Sequence, residues 1–258
     1  MTRLKDRITL VTGASRGIGR AVAQAYLREG ARVALIATRE DRLEALCAEL
    51  GWPADRVLCI GADVARADQA QAAVQRVLAR WGQIDVLVNN AGIYHAAPFL
   101  DHSPQDFQRL LDVNLFGVLH FMQACLPPMQ SRRSGAIVNI ASTAGKWGSR
   151  NQSAYNTSKH AVVGLTRCVA LEASAHQVTV NAICPGFVQT DMIDELKAQA
   201  AQAAGASVDE FVRAMLARVP LGRLMQADEI AEMAVYLGSD AARGITGQSL
   251  HIDGGMVL

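Results

Sequence analysis

The sequence has no closely spaced pair of cysteines. Its five cysteines are isolated, and no C-x-x-C motif occurs. An odd number of separated cysteines, mostly set among apolar residues, is typical of reduced core thiols rather than of a disulfide framework. These residues are Cys47, Cys59, Cys125, Cys168 and Cys184.

Charge of one sign is also lacking. The chain has 25 lysines plus arginines against 24 acidic residues, and neither sign is gathered into blocks. A basic patch or tail for a polyanion is therefore not indicated, and we expect no nucleic-acid partner.

Long apolar runs are absent as well. The N-terminus MTRLKDRITLVTG places charged residues directly before a predicted strand and has no signal-peptide core. No uninterrupted apolar run approaches the ~18 residues that a membrane span requires. These features predict a cytoplasmic protein that does not interact with membranes.

What the sequence does have is a regular alternation of short β-branched runs with longer segments of helical periodicity. This pattern predicts a doubly wound Rossmann-type α/β fold, with helices on both faces of a seven-stranded, mostly parallel sheet. No linker or composition shift interrupts it, so residues 1–258 are expected to form a single domain. The alanine- and glutamine-rich segment at about 191–217 falls outside the alternation, and we expect it to be a substrate lid. The predicted strands are Ile8–Thr12, Arg32–Ala37, Val57–Gly61, Val86–Asn89, Ala136–Ile140, Val178–Ile183 and Ser249–Ile252.

Three polar or glycine-rich segments follow predicted strands. Thr12–Gly19 (TGASRGIG) joins the first strand to the first helix, where backbone N–H groups can face a pyrophosphate. Asp63-Val64 follows the third strand, and Asn89–Gly92 (NNAG) follows the fourth. Each alone is more typical of a plain turn than of a cofactor site. Together they predict a cofactor groove at the carboxyl ends of the strands.

Tyr155 and Lys159 are one helical turn apart, so their side chains share a face. A phenol has a pKa near ~10 in water, and a neighbouring ammonium lowers it. The pair therefore predicts a tyrosine that exchanges protons with an alcohol. An arbitrary pair at this spacing would more often be packing and solvation, so the prediction depends on the surrounding motifs.

Those motifs, in this order, resemble the short-chain dehydrogenase/reductase superfamily along the whole chain. They are TGASRGIG, NNAG, Asn114 in DVNLFGV, Ser142 in IVNIAS, YNTSK at Tyr155–Lys159, and PGFVQT at Pro185–Thr190. The resemblance implies an enzyme that transfers a hydride between a nicotinamide dinucleotide and a ketone or secondary alcohol. It also implies a homotetramer with two-fold axes.

The resemblance further implies roles for individual residues. Ser142 would bond the substrate oxygen, Tyr155 would move the proton, Lys159 would lower the Tyr155 pKa and hold the ribose, and Asn114 would position a water. The implied cofactor contacts are Gly13, Ser15, Arg16, Gly17, Ile18, Gly19, Thr38, Arg39, Asp63, Val64, Asn90, Ala91, Gly92, Tyr155, Lys159, Pro185, Gly186, Val188 and Thr190.

The choice of dinucleotide depends on the end of the second strand. Neither Ala37 nor Thr38 is acidic, so nothing there pairs with both ribose hydroxyls of NAD. Arg39 and Thr38 offer a guanidinium and a hydroxyl to the 2′-phosphate of NADP, with Arg16 on the other side. NADP is therefore predicted, with NAD as the alternative, because Arg39 could instead pair with the acidic residues that follow it.

Within the superfamily, the sequence is most similar to bacterial polyketide and 3-oxoacyl ketoreductases. NAD-dependent secondary-alcohol or 3-hydroxyacid dehydrogenases are the alternative, and a non-catalytic dinucleotide-binding scaffold is a third possibility. No cluster of histidines and acids has metal-ligand spacing, so no catalytic metal is predicted. The predicted substrate pocket consists of Tyr94, His95, Ala144, Trp147, Gln152, Phe187 and the lid.

Overall fold

A computed structural model of the chain describes residues 2–257, apart from the side chains at 192, 195, 196, 200, 203 and 204. It contains a seven-stranded sheet in the order β3-β2-β1-β4-β5-β6-β7, in which all neighbouring strands are parallel. The strands are β1 Ile8–Thr12, β2 Arg32–Ala37, β3 Val57–Gly61, β4 Val86–Asn89, β5 Gly135–Ile140, β6 Val178–Pro185 and β7 Ser249–Ile252. The predicted fold class is confirmed.

Helices connect the strands and cover both faces of the sheet. They are α1 Gly17–Arg28, α2 Glu40–Glu49, α3 Ala67–Trp81, α4 Pro104–Leu111, α5 Gly117–Ser131, α6 Ser153–Ser174, α7 Asp191–Ala204, α8 Val208–Leu216 and α9 Ala227–Gly238. A five-residue π-helical segment, Asp112–Phe116, joins α4 to α5.

Two apolar cores lie on opposite faces of the sheet. One packs buried residues of α3, α5 and α6 against the strands, and the other packs those of α1 and α9. Successive strand residues point to opposite faces, so Leu10 of β1 belongs to the first core and Val11 to the second. Burial on both faces explains why the strands are almost continuously apolar.

The helical stretch Pro104–Ser131 is, among the described residues, the one long and apolar enough to cross a membrane by length and composition alone. Its most apolar window has a mean hydropathy of 1.3 and is 44% buried inside the fold. Phe121, Met122, Cys125 and Met129 of this stretch are core residues. A core helix has the same composition, so the stretch is weak evidence for a membrane span.

The strand order reverses direction between β2 and β4, on either side of β1. In open α/β sheets, ligands bind at the carboxyl ends of the strands beside such a reversal. The fold therefore places the loops that follow β1, β4, β5 and β6 around one cleft.

Candidate active site

A cavity of about 780 Å³ opens at the carboxyl ends of the strands. Its size is in the range of roughly 300–1,000 Å³ that is typical of small-molecule sites. The predicted site residues that line it are Ile18, Asn90, Gly92, Tyr94, Ser142, Ala144, Trp147, Gln152, Tyr155, Lys159, Pro185, Gly186, Phe187, Val188 and Thr190.

The glycine-rich turn leads from β1 into α1. Gly13 has a left-handed backbone (φ 64°), and a Cβ there would lie 2.8 Å from the Ala91 Cα. A Cβ on Gly19 would lie 2.2 Å from the Gly13 carbonyl oxygen. Only glycine fits at these two positions, because the turn, α1 and the loop after β4 are in direct contact.

The N-terminus of α1 is open to an anionic ligand. Arg16 is its N-cap residue, and the Arg16 side chain does not cap the first N–H groups of the helix. Such uncapped N–H groups, together with the helix dipole, form an anion site. The residues present therefore fit a dinucleotide pyrophosphate. The remaining cofactor residues Ser15, Gly17 and Ala91 lie in this turn or beside it.

Asn90 holds the turn in place. Its side-chain amide donates to the carbonyls of Thr12 (3.0 Å) and Gly13 (3.1 Å), and its backbone N–H donates to Thr12 Oγ1 at 2.9 Å. The Ala91 N–H donates to the same hydroxyl at 3.0 Å. Thr12 thus connects β1 to the loop after β4, a contact that the motif alone does not show.

Asn114 lies in the π-helical segment and is buried. Its Oδ1 accepts from the Ile93 N–H at 2.8 Å, while its Nδ2 donates to the Ile93 carbonyl and to Ser158 Oγ, both at 3.0 Å. A π-helical turn is common at functional sites because it redirects one side chain. Here it turns Asn114 onto the loop that carries Tyr94, and the predicted water-positioning role stays a prediction.

Lys159 is buried, and its Nζ donates to the Ile140 carbonyl at 3.0 Å. The ammonium lies 5.8 Å from the centre of the Tyr155 ring. Burial lowers the pKa of Lys159 to about 8. An ammonium has three donors, so the bond to Ile140 leaves N–H groups for the ribose hydroxyls of a bound dinucleotide.

Tyr155 is in the first turn of α6 and lines the cavity. Burial raises its pKa to about 12, and a hydrogen bond with the Ser142 side chain opposes that shift. Burial therefore sets the direction of the shift, which is opposite to the lowering predicted from the Lys159 spacing, and the phenol is protonated at neutral pH. Ser142 itself, at the end of β5, accepts from the Ala144 N–H at 3.1 Å.

The adenosine end of the groove lies beside β2 and β3. Asp63 is exposed there, and its carboxylate accepts from the Ala65 N–H at 3.0 Å. Val64 is buried next to α5. Arg39 donates from its Nε to Asp41 at 3.0 Å and forms an exposed ion pair with it. Arg39 is thus paired with Asp41, which is the alternative to a contact with a 2′-phosphate. Thr38 follows β2, and the residue before it, Ala37, is not acidic.

The cavity wall is largely aromatic and apolar. The Tyr94 and Tyr155 rings meet edge-on, with their centres 5.1 Å apart. The guanidinium of Arg218 stacks over the Trp147 ring at 4.2 Å. Sequence reasoning missed Arg218, since nothing in its surroundings sets it apart. The predicted lid forms α7 and α8, which contribute Ile193, Phe211 and Met215 to the wall.

His95 is the exception among the predicted pocket residues. It does not belong to the described residues that line the cavity, and its Nε2 lies 3.7 Å from Asp106 Oδ1. The loop turns Tyr94 toward Tyr155 and therefore directs the next side chain the other way. His95, His102 and Asp106 form a cluster that the sequence spacing did not indicate.

The order of the sheet, the open helix N-terminus and the tyrosine–lysine pair at one cleft define a nicotinamide dinucleotide-dependent oxidoreductase. The sequence model of the short chain dehydrogenase family matches residues 7–201, and the chain belongs to that family.

The chain is similar to several other proteins along nearly its whole length. It is 39% identical over 250 residues to the 3-oxoacyl-(acyl-carrier-protein) reductase FabG of Staphylococcus aureus, covering 96% of this chain and 97% of the relative. The FabG of Thermotoga maritima is 36% identical over 256 residues, covering 99% and 100%. The uncharacterized oxidoreductase YxjF of Bacillus subtilis is 36% identical over 253 residues, covering 98% of each.

Proposed function

We propose that this protein is an NADP-dependent ketoreductase that reduces a 3-oxoacyl or polyketide-type substrate to the secondary alcohol. The observation that carries the proposal is the protonated Tyr155 phenol, hydrogen-bonded with Ser142 and facing the cavity beside Lys159. Reducing a ketone requires a hydride at the carbonyl carbon and a proton at its oxygen. A bound reduced nicotinamide supplies the hydride.

The chain's own residues supply the rest. In the proposed reaction, Ser142 donates a hydrogen bond to the substrate's carbonyl oxygen. Tyr155 transfers its proton to the same oxygen. A pKa of about 12 keeps Tyr155 protonated, the state that reduction needs. Oxidation of an alcohol would need the phenolate, which burial disfavours.

The shape of the cavity supports a substrate longer than a small keto acid. Its wall is built from Tyr94, Trp147 and Phe187, and the lid helices α7 and α8 close one side. Similarity to the FabG reductases points to a 3-oxoacyl thioester. Tyr94, Ala144 and Gln152 are uncharged, and Arg218, a cation that does line the wall, is stacked on the Trp147 ring. We therefore propose residues 191–217 as the lid of a thioester pocket.

Turnover of a substrate panel tests this function. We expect NADPH oxidation, followed by loss of absorbance, with acetoacetyl-coenzyme A or an acetoacetyl thioester analogue, and much slower reaction with free acetoacetate. If turnover is fastest with NAD and either 3-hydroxybutyrate or a simple secondary alcohol, the protein is the dehydrogenase of the alternative proposal. No turnover on the whole panel, with dinucleotide binding retained, would identify a scaffold.

The preference for NADP is tested at Arg39 and its partner. Arg39→Ala removes the proposed phosphate contact and should raise the KM for NADPH by roughly tenfold while leaving the KM for NADH unchanged. Asp41→Asn frees Arg39 from its ion pair and should lower the KM for NADPH. Steady-state kinetics with both cofactors measures this. Equal effects on both, or a wild-type preference for NADH, would contradict the assignment.

We propose a homotetramer with two-fold axes. Leu171 on α6 is 79% exposed, Phe116 before α5 is 38% exposed, and β7 is an edge strand of the sheet. Apolar side chains and an open edge of this kind are commonly covered by a second copy. Light scattering should give four times the 27.6 kDa chain mass, and Leu171→Asp should reduce it. A monomer mass at micromolar concentration would refute the tetramer.

A further inference from the structure

Three metal-ligating side chains meet outside the cavity, although they are separated in the sequence. His95 is in the loop after β4, His102 follows a short 3₁₀ turn, and Asp106 is in the first turn of α4. Each offers one ligand atom, and these atoms all lie within 4.8 Å of one another. The His95 and His102 rings meet edge-on at 5.4 Å between centres.

His102 is the member of this cluster whose polar atoms are not satisfied. Both ring nitrogens are buried, and neither has a hydrogen-bond partner among the described residues. The Phe107 ring packs against the imidazole edge-on, with centres 5.7 Å apart. Buried polar atoms in folded proteins are nearly always paired, so two buried imidazole nitrogens without partners indicate a ligand that completes them.

Asp106 is held ready for such a ligand. Its Oδ2 accepts from the Ser103 N–H at 2.9 Å and from the Ser103 hydroxyl at 2.8 Å. These bonds fix the orientation of the carboxylate, as outer hydrogen bonds do around ligating carboxylates, and leave Oδ1 on the side of His95.

We propose that His95, His102 and Asp106 bind one divalent transition-metal ion of the zinc class. Two imidazole nitrogens and one carboxylate oxygen are a donor set that such ions prefer, with water in the fourth position. With metal–ligand bonds of about 2.1 Å, tetrahedral donors lie roughly 3.4 Å apart. The His95–Asp106 separation of 3.7 Å is already close to that value. The ion reaches the site from solvent, because the His95 and Asp106 side chains are 29% and 25% exposed.

The ion has a structural task. Tyr94 precedes His95 and packs on Tyr155, so a bond from His95 to the ion ties this wall of the cavity to α4. Without the ion, this loop is held by the bonds of Ile93 to Asn114 and by the Ala97 N–H, which donates to the Asn151 carbonyl at 2.9 Å. The site lies apart from the groups that transfer the proton, and it does not depend on the proposed reaction.

Titration of the chelator-treated, dialysed full chain with ZnCl₂ and with CoCl₂ tests the proposal. Equilibrium dialysis should give one Zn²⁺ per chain, and Co²⁺ should give the visible absorption of a tetrahedral site. Zn²⁺ should also raise the Tm, since it binds the folded state. His102→Ala and Asp106→Asn should each weaken binding by at least tenfold.

His176→Ala is the matched control, because it removes a histidine in the turn between α6 and β6, away from the cluster. It should bind Zn²⁺ as the wild type does. Far-UV circular dichroism checks that each variant folds. If His102→Ala does not fold, Zn²⁺ binding by His95→Ala decides the question, because the His95 ring is more accessible. No binding at millimolar Zn²⁺, or equal binding by the wild type and the cluster variants, would overturn the site.

Discussion

Replacing Tyr155 with phenylalanine is expected to lower kcat for ketone reduction by about 10³-fold. The substitution keeps the ring, and with it the edge-on contact with Tyr94, but removes the proton donor. General acids contribute roughly 10² to 10⁴ to a rate. The Kd for NADPH should change little, because Lys159 and the glycine-rich turn, not the phenol, are the proposed main contacts. Stopped-flow turnover and fluorescence titration of NADPH measure the two quantities.

Tyr94→Phe provides the matched control. Tyr94 is a second phenol at the same cavity, with its ring centre 5.1 Å from that of Tyr155, and its buried hydroxyl has no hydrogen-bond partner among the described residues. Burial raises its pKa above that of an ordinary phenol, so it is also protonated. If proton transfer belongs to Tyr155, Tyr94→Phe retains most of the activity. Retention of more than a few per cent by Tyr155→Phe, or an equal loss in both variants, would contradict the assignment.

Much of the fold could be predicted because most strands are apolar on both faces and are bounded by turn residues. Five of the seven predicted strands have the bounds seen in the structure. The others extend further: β5 begins at Gly135, and β6 continues to Pro185. Glycine and proline are disfavoured in strands, so the predicted strands began after Gly135 and ended before Pro185. Pro185 fits because it is the last residue of its strand.

The site was less predictable, because its contacts depend on backbone turns that periodicity does not encode. The π-helical turn at Asp112–Phe116 directs Asn114 toward Ile93. The loop after β4, which contains Ile93, directs His95 away from the cavity and toward Asp106. The sequence spacing of Tyr155 and Lys159 indicates a shared helix face, but not the degree of burial that sets their pKa values. Burial sets the direction of both pKa shifts, raising that of Tyr155 and lowering that of Lys159. For Tyr155 this direction is opposite to the one expected from the sequence.

Lys159→Ala is expected to lose activity and also to weaken NADPH binding, because the same ammonium is proposed to hold the ribose and to stabilise the phenolate left after proton transfer. The Lys159 ammonium lies 5.8 Å from the centre of the Tyr155 ring, within the distance at which an opposite charge favours the ionised form of a neighbour. Normal NADPH affinity in an inactive variant would assign Lys159 to the proton step alone. Unchanged activity would remove it from the mechanism.

The pH dependence of wild-type activity distinguishes a role for the Lys159 charge from a role for Lys159 in packing. Burial lowers the pKa of Lys159 to about 8, so the ammonium is present below that pH and is lost as the pH rises through it. Tyr155 stays protonated over the same range, since its pKa is about 12. We therefore expect kcat/KM for reduction to fall above pH of about 8. Lys159→Arg keeps its charge to a pKa above ~12, so that variant, although slower, should show no such fall. If the fall near pH 8 persists in the arginine variant, it belongs to a different group, and Lys159 is then a packing residue whose charge the reaction does not use.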